Sequence, residues 1–325
     1  MQEMELTISD IRVETPLIRS LGLQAPDGSP LPPFSPGAHL QVRIPGLADA
    51  RCYSLVTFAP EATCFDTPQA YRLGVRIEAD SSGGSRFMHG LRVGDTLTVT
   101  GPKNDFPLHA AKADETETVL IAGGIGITPI AAMASALQAA GRPWSMHYSG
   151  RSLDQLAFKD ELTALAGPAL HLHADDDPAS RLDIGALLDD LSTTQHLYVC
   201  GPKGMIDAVI EGAKARGWPA CHVHFELFTS AAPLAGDQPF EVELSQSGQV
   251  LTIPADKTIV EVMEEAGCDP MYDCKRGECG VCTATVLKGE PDHRDYFLSD
   301  AEKAGGKLIQ ICISRAKSPR LVLDL

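Results

Sequence analysis

Cys274, Cys279 and Cys282 stand in the spacing C-x4-C-x2-C, and Cys312 follows about thirty residues later. Thiolates suit iron, and four of them complete the tetrahedra of two bridged irons. This spacing is the plant-type ligand pattern for a [2Fe–2S] cluster, a centre that moves one electron at a time. Gly277 and Gly280 let the loop backbone take φ > 0 and turn N–H groups towards the sulfurs, where they help to stabilise the charge added on reduction. A four-cysteine zinc site is the rival reading. Zinc sites usually show paired C-x2-C knuckles, and only one such pair is present. Four buried thiols without a ligand would need this spacing by coincidence. The basic pair Lys275-Arg276 is either an exposed edge that meets a partner or a solvated stretch of loop.

A second stretch fits a nucleotide. The apolar run Thr118–Ala122 leads into Gly123-Gly124-Ile125-Gly126-Ile127-Thr128-Pro129 and then a helical pattern. Backbone N–H groups at such a turn, with the helix dipole behind them, can hold a pyrophosphate. Pro129 suits the first helical turn, where its missing N–H costs nothing. The run departs from G-x-G-x-x-G because Pro129 stands at the third glycine, and no acidic residue follows about twenty positions on. That region reads Tyr148-Ser149-Gly150-Arg151-Ser152, where Arg151 or Ser152 can reach an adenosine ribose or a 2′-phosphate; a solvated Arg151 and a plain strand-to-helix connection are the bland alternatives. Cys200-Gly201-Pro202 closes another strand-like run, His196–Cys200. Ligands of open α/β sheets lie beyond the carboxyl ends of the strands, which puts Cys200 where a nicotinamide lies unless it merely packs.

A third stretch, Arg51-Cys52-Tyr53-Ser54-Leu55, couples a cation, an aromatic ring and a hydroxyl. On a strand Arg51 and Tyr53 share a face, an arrangement that can set a guanidinium on a phosphate, a ring against a flavin and a hydroxyl near its N5. Ser81-Ser82-Gly83-Gly84-Ser85-Arg86 opens a short helical pattern and offers hydroxyls, pliant backbone and a cation. Read alone, each is as compatible with surface decoration.

Three kinds of surrounding structure must position these groups. The chain has 325 residues, room for two or three domains. Up to about residue 108 short alternating runs, such as His39–Ile44, Tyr71–Ile77 and Thr96–Thr100, are separated by Gly and Pro, which predicts a small β-barrel or sandwich. From Thr118 strands at Trp144–Tyr148, Ala169–His173 and His196–Cys200 alternate with helical patterns, one of them Pro129–Ala140 stopped by Gly141. That alternation predicts a parallel sheet with helices on both faces. Ser230–Gln238, rich in Ala, Pro and Gly, reads as a linker. Beyond it Phe240–Leu244 and Val250–Ile253 return to strand patterns, and Thr258–Ala266 reads as a short helix before the cysteine loop. The domains expected are 1–108 (flavin barrel), 112–229 (nucleotide α/β), 230–238 (linker) and 239–325 (α+β ferredoxin-like). The formal net charge of −16 argues against a nucleic-acid partner. No apolar stretch approaches a membrane span and no leader pattern opens the chain, so an unprocessed cytoplasmic protein is expected. Nine cysteines without a leader argue against a disulfide framework; Cys52, Cys64, Cys221 and Cys268 read as core or surface residues.

Taken in order, these stretches resemble the phthalate dioxygenase reductase family of the ferredoxin–NADP reductase superfamily. Arg51-x-Tyr53-Ser54 matches its flavin motif. Gly123 to Pro129 and Cys200-Gly201-Pro202 match its nicotinamide motifs, and His224-Phe225-Glu226 matches the segment that closes its nucleotide domain. Asp292-His293-Arg294-Asp295, Cys312–Ser318 and Leu321–Leu325 match its ferredoxin domain. The resemblance implies FMN rather than FAD, NADH more than NADPH, a [2Fe–2S] cluster, and a separate terminal oxygenase, usually a Rieske enzyme acting on an aromatic acid or small organic substrate. It implies binding roles for Arg51, Tyr53, Ser54, Gly83, Gly84, Ser85, Gly123, Gly124, Gly126, Thr128, Pro129, Arg151, Gly201 and Pro202. Ser54, Cys200, Phe225 and Glu226 would lie around the reacting rings. A reductase for a cytochrome P450 or a small ferredoxin would carry the same motifs, and a nucleotide-binding redox sensor is the non-enzymatic alternative.

Overall fold

The computed structural model describes residues 2–59, 63–109, 117–228 and 234–325, with the backbone alone for 63 and 64. The chain forms two compact units, Met1–Glu226 and Leu227–Leu325. The expected boundary at 108–112 and the first part of the expected linker fall on 110–116 and 229–233, outside the described residues; so does the Cys64 side chain.

The first unit opens with strands β1 (Glu3–Thr15), β2 (Ile18–Gln24), β3 (His39–Val42) and β4 (Arg51–Ser54). Helix α1 (Thr63–Asp66), β5 (Tyr71–Arg76), α2 (Gly84–Gly90) and β6 (Thr96–Lys103) follow. The strands form one antiparallel sheet in the order β4-β3-β6-β1-β2-β5. The sheet curls until its two edges touch: Leu55 bridges Leu73, and the Val56 N–H donates to the Arg72 carbonyl at 2.9 Å. Alternating residues such as Leu6, Ile8, Leu40, Val42, Leu73, Val75, Leu97 and Val99 fill the interior, as the period of two requires. Of the long β1 only Leu6–Ile8 reads as a strand in the sequence, and its partner β2 was missed.

The same unit continues with β7 (Thr118–Gly123), α3 (Ile127–Ala139), β8 (Trp144–Gly150), α4 (Lys159–Ala166), β9 (Leu170–Ala174), α5 (Ile184–Asp189), β10 (His196–Cys200), α6 (Lys203–Ala215) and β11 (Val223–Glu226). The five strands are parallel, in the order β11-β10-β7-β8-β9. β7 is buried along its whole length and α3 on nearly all sides, which is why both read as continuous apolar runs. α3 stops where Gly141 takes φ +62°, the left-handed exit that glycine permits. Ala169, expected to open β9, belongs instead to a 3-10 turn with Pro168. Residues Ile18, Val56 and Phe106 of the barrel share one core with α3 and the parallel sheet.

The second unit holds β12 (Phe240–Leu244), β13 (Val250–Ile253), α7 (Ile259–Glu265), β14 (Thr283–Lys288), β15 (Pro291–Asp292), α8 (Asp300–Gly305), β16 (Leu308–Gln310), β17 (Arg315–Ala316) and β18 (Arg320–Leu323). A mixed sheet runs β13-β12-β18-β14-β16, with β12 and β18 parallel. Both helices begin with reciprocal capping boxes, Thr258 with Glu261 and Ser299 with Glu302, which satisfy first-turn N–H groups that otherwise lack partners. Among the described residues no helix is long and apolar enough to cross a membrane.

Candidate functional site

The register of the parallel sheet assembles the nucleotide residues. Cys200, the last residue of β10, lies beside Ala122 of β7 on one side and Glu226 of β11 on the other. The turns leaving β7 and β10 press backbone to backbone. A Cβ at Gly126 would lie 2.2 Å from the Cys200 carbonyl oxygen, and one at Gly201 would lie 3.0 Å from Gly123 Cα. Gly126 has an ordinary helical φ of −61°, so its need for glycine is steric. Gly124 has φ +55° and is the conformational glycine of the turn. Pro202 packs over Gly123, with Cδ 2.6 Å from where a Cβ would be. The packed glycines set the start of α3 at the carboxyl end of the sheet, where an open α/β sheet holds its ligand.

Other predicted residues of this site have packing roles. Thr128 is buried; its Oγ1 donates to the Ile125 carbonyl at 3.0 Å, and its Cγ2 fits against Gly74 of β5, 2.7 Å from where a Cβ would stand. Pro129 is buried in the first turn of α3. The Cys200 side chain is buried within the core, so its backbone carbonyl lines the turn contact. Glu226 is 3 % exposed, and Phe225, one residue back, points to the opposite face. Arg151 is exposed at the end of β8. There the Asp175 N–H donates to the Gly150 carbonyl at 2.9 Å, and the Asp176 N–H to the Arg151 carbonyl at 3.0 Å. The acidic run Asp175-Asp176-Asp177 therefore sits beside Arg151. Sequence reading sought an acid about twenty residues after the glycine turn and missed this one, which follows the next strand over.

On the barrel, Arg51 and Tyr53 are half-buried, Cys52 is exposed and Ser54 is buried. The stem of Arg51 lies over Gly84, whose Cβ would approach Arg51 Cγ to 3.0 Å. Its guanidinium donates to Ser82 Oγ at 3.2 Å and to the Asp49 carbonyl at 3.1 Å. Gly83 has φ +117°, and Ser85 Oγ accepts the Glu78 N–H at 3.1 Å. The fold thus joins two stretches about thirty residues apart in sequence into one cationic, hydroxyl-lined corner. Burial pushes the Tyr53 phenol up to about 12, so it remains a hydrogen-bond donor at every working pH. Guanidinium, hydroxyls and glycine backbone form a fitting donor set for the phosphate of a flavin mononucleotide.

In the second unit the four cysteines converge. The Cys312 thiol hydrogen-bonds to both Cys274 and Cys282. That bond, with the Arg276 and Glu278 N–H groups, holds Cys274 well below the usual thiol range. The Arg276 N–H donates to Cys274 Sγ at 3.3 Å. Gly277 and Gly280 take φ +75° and +77°; a Cβ at Gly277 would meet Ile313 and Asp295, and one at Gly280 the Phe297 ring. This convergence of thiols, N–H donors and close-packed glycine loop fits a cluster held by four thiolates. Arg276 is buried and pairs with Glu278 (Nε to Oε2, 3.1 Å), while Lys275 lies 4.4 Å over the Tyr272 ring and 3.5 Å from Glu264. The basic pair is therefore neutralised within its own unit. Burial pushes the Glu278 carboxyl up to about 7, and it accepts the Leu227 N–H at 2.7 Å. Asp237 is gripped by Arg294 through two bonds of 2.9 and 2.6 Å, which hold its carboxyl down at about 2.

Comparison with known proteins agrees with this geometry. Residues 242–317 match the 2Fe-2S iron-sulfur cluster binding domain and residues 120–211 the oxidoreductase NAD-binding domain. A vanillate O-demethylase oxidoreductase of Pseudomonas sp. (strain HR199 / DSM 7063) is 40% identical over 99% of this chain and 100% of its own length. A phthalate dioxygenase reductase structure, described as modular for electron transfer from pyridine nucleotides to [2Fe–2S], is 37% identical with a TM-score of 0.71, covering 99% of this chain and 98% of that one. An intact type IV self-sufficient cytochrome P450 monooxygenase is 34% identical with a TM-score of 0.73 over 99% of this chain. The chain spans 41% of that protein's length.

Proposed function

This chain belongs to the phthalate dioxygenase reductase family, the reductase components of oxygenase systems, and from that membership we propose that it oxidises NADH on FMN and delivers single electrons to a Rieske-type terminal oxygenase. A bound flavin accepts an electron pair as hydride and releases it singly, and a [2Fe–2S] cluster accepts one electron at a time. The chain's own residues do the placing. Gly123, Gly124, Gly126, Gly201 and Pro202 shape the turn that receives the dinucleotide. Arg51, with Gly83, Gly84 and Ser85, holds the flavin phosphate. Tyr53 and Ser54 orient the flavin ring, Ser54 offering its hydroxyl near the ring nitrogen that takes the hydride. Phe225 and Glu226 border the nicotinamide, and the Cys200 carbonyl fixes the floor beneath it. Cys274, Cys279, Cys282 and Cys312 hold the cluster.

The observation that carries this reading is the register Ala122–Cys200–Glu226 with Gly126 seated on the Cys200 carbonyl. It brings three stretches, separated by about 75 and 26 residues, to one strand end. Asp175 and Asp176, whose backbone pairs with Gly150 and Arg151, support NADH as donor, because a 2′-phosphate there would stand among like charges. A P450 acceptor is the second reading, supported by the likeness to the fused P450.

The test is anaerobic stopped-flow mixing of the FMN- and cluster-loaded protein with NADH, followed by mixing with a Rieske oxygenase or a P450. Flavin bleaching ahead of cluster bleaching, with faster re-oxidation by the Rieske protein, is expected. Failure of NADH to bleach the flavin overturns the whole reading; faster re-oxidation by the P450 overturns the choice of acceptor.

A further inference from the structure

Seven of the ten histidines lie between residues 109 and 224, far more than the nucleotide chemistry uses, and three of them converge. His196 opens β10, His224 is on β11 in the register next to Tyr198, and His109 follows β6 in the connection towards β7. One ring nitrogen from each lies within 4.8 Å of the other two. All three are half-buried. His196 Nδ1 and His224 Nε2 are 2.9 Å apart. The His109 ring stacks on His196 at 3.6 Å and 5°, and Tyr198 stacks on His224 at 4.3 Å.

We propose that His109, His196 and His224 form a binding site for one divalent transition-metal ion of the zinc, copper or nickel type. Imidazole nitrogens suit these ions, and three of them with an open fourth position for water make a common tetrahedral set. Nitrogens sharing one tetrahedral zinc at about 2.05 Å sit about 3.3 Å apart, so the His196–His224 pair has to open by a few tenths of an ångström and tilt until its lone pairs converge, and the His109 ring has to turn out of its stack on His196 to reach the same ion. In the metal-free chain that pair shares one proton. Metal binding moves it to the other nitrogen of the same ring, so no net proton is lost or gained there. The partners of these rings already resemble those of ligands. The Tyr198 hydroxyl lies 3.0 Å from His109 Nδ1 and accepts the His109 backbone N–H at 2.7 Å, an outer contact of the kind that orients a ligating imidazole.

Arg142 opposes binding. Its NH2 lies 3.2 Å from His109 Nε2, a cation where the ion must come. The guanidinium has to swing aside, which distinguishes a metal site from a histidine stack kept for packing: a site gains affinity when Arg142 is removed. The location also sets the consequence. His196 is four residues from Cys200 along β10, about 13 Å at strand rise, so the ion would sit at the opposite strand end from the nucleotide crevice. There it would tie the barrel-to-sheet connection at His109 to β10 and β11.

The test uses the full chain with flavin and cluster in place, so that the cluster cysteines do not compete, and equilibrium dialysis against zinc. One ion per chain is expected, with affinity weakened about tenfold or more in both His196→Gln and His224→Gln and strengthened in Arg142→Gln. His147→Gln is expected to be neutral. It touches the separate group His147, His171 and His173, in which His147 Nδ1 and His173 Nε2 are 3.1 Å apart. No zinc retained at about 100 µM, or retention unchanged in both His196 and His224 variants, overturns the proposal. Should those variants fail to fold, copper(II) loaded on the wild type decides by electron paramagnetic resonance: three coupled nitrogens support the site, two or fewer overturn it.

Discussion

Gly126 offers the sharpest test of how the nucleotide crevice is built. Replacing it with alanine leaves the backbone angles comfortable, since φ is −61°, and puts one methyl group 2.2 Å from the Cys200 carbonyl oxygen, 2.4 Å from its carbon and 2.7 Å from Gly201 N. None of these is a movable side-chain end. The carbonyl belongs to β10, which is locked between β7 and β11. One of the two turns has to retreat by about 1 Å to regain van der Waals distance. Overpacking of this kind costs about 3 kcal/mol at the upper end of its usual range, about 6–12 °C in Tm for a unit of this size. The functional loss is the larger effect: a displacement of about 1 Å between reacting groups costs on the order of 100-fold.

The assay is kcat/KM for NADH with ferricyanide as acceptor, alongside thermal melting of the loaded protein. Gly141→Ala, just past the other end of α3, is the control. Gly141 has φ +62° and nothing within 4 Å of its would-be Cβ, so alanine there costs only the left-handed backbone, about 1 kcal/mol, and leaves kcat/KM for NADH unchanged. A Gly126→Ala protein that melts with the Gly141→Ala control and keeps its kcat/KM would show that the two turns are not in backbone contact in solution.

Three further outcomes are expected. Asp237→Asn breaks the paired bonds to Arg294. Because Asp237 is held at about 2 against an ordinary 3.8, the pair contributes fully above about pH 4 and its contribution is lost as pH falls from there towards 2. Asparagine therefore costs about 2 kcal/mol at pH 7, read as urea-induced bleaching of the cluster, and a gap between wild type and variant that persists unchanged at pH 2 would contradict the assignment. Cys312→Ser removes the thiol that contacts both Cys274 and Cys282; iron and sulfide per chain should fall to near zero while NADH–ferricyanide turnover survives, and a full iron complement would refute the ligand set. Asp176→Ser relieves repulsion of a 2′-phosphate at the end of β8 and should raise the NADPH-to-NADH ratio of kcat/KM about tenfold, about 1.4 kcal/mol; an unchanged ratio places the adenosine elsewhere.

What could be read from the sequence divides by the distance over which each constraint acts. The cysteine loop was fully legible, because three ligands and both positive-φ glycines lie within nine residues and the spacing is itself the chemistry. The parallel strands were legible because burial on both faces writes continuous apolar runs, as in β7. β1 was legible only as the short run Leu6–Ile8 and β2 not at all, since half-buried and polar residues dilute the alternation over Glu3–Thr15. The fit of Gly74 against Thr128 and Phe158, the Arg51 stem over Gly84, and the grip of Arg294 on Asp237 leave no local trace, because each partner lies tens of residues away.

The glycine turn shows how a residue singled out in the sequence can owe its identity to a contact the sequence does not show. Read locally, Gly123, Gly124 and Gly126 form a phosphate turn in which glycine serves backbone freedom, and Gly124 with its φ of +55° meets that description. Gly126 does not. It is glycine because the Cys200 carbonyl, 74 positions along the chain, occupies the space of its Cβ. The same contact explains why Cys200-Gly201-Pro202 accompanies the glycine turn: Gly201 gives Gly123 the clearance that Cys200 takes from Gly126, and Pro202 caps the pair. The two stretches act as one surface whose shape depends on the absence of two methyl groups. A methyl at Gly201 would lie 3.0 Å from Gly123 Cα and N, a milder clash than at Gly126, so Gly201→Ala should lose less of the NADH kcat/KM than Gly126→Ala does. The reverse order would mean that the floor of the crevice is set from the β10 turn and not from α3.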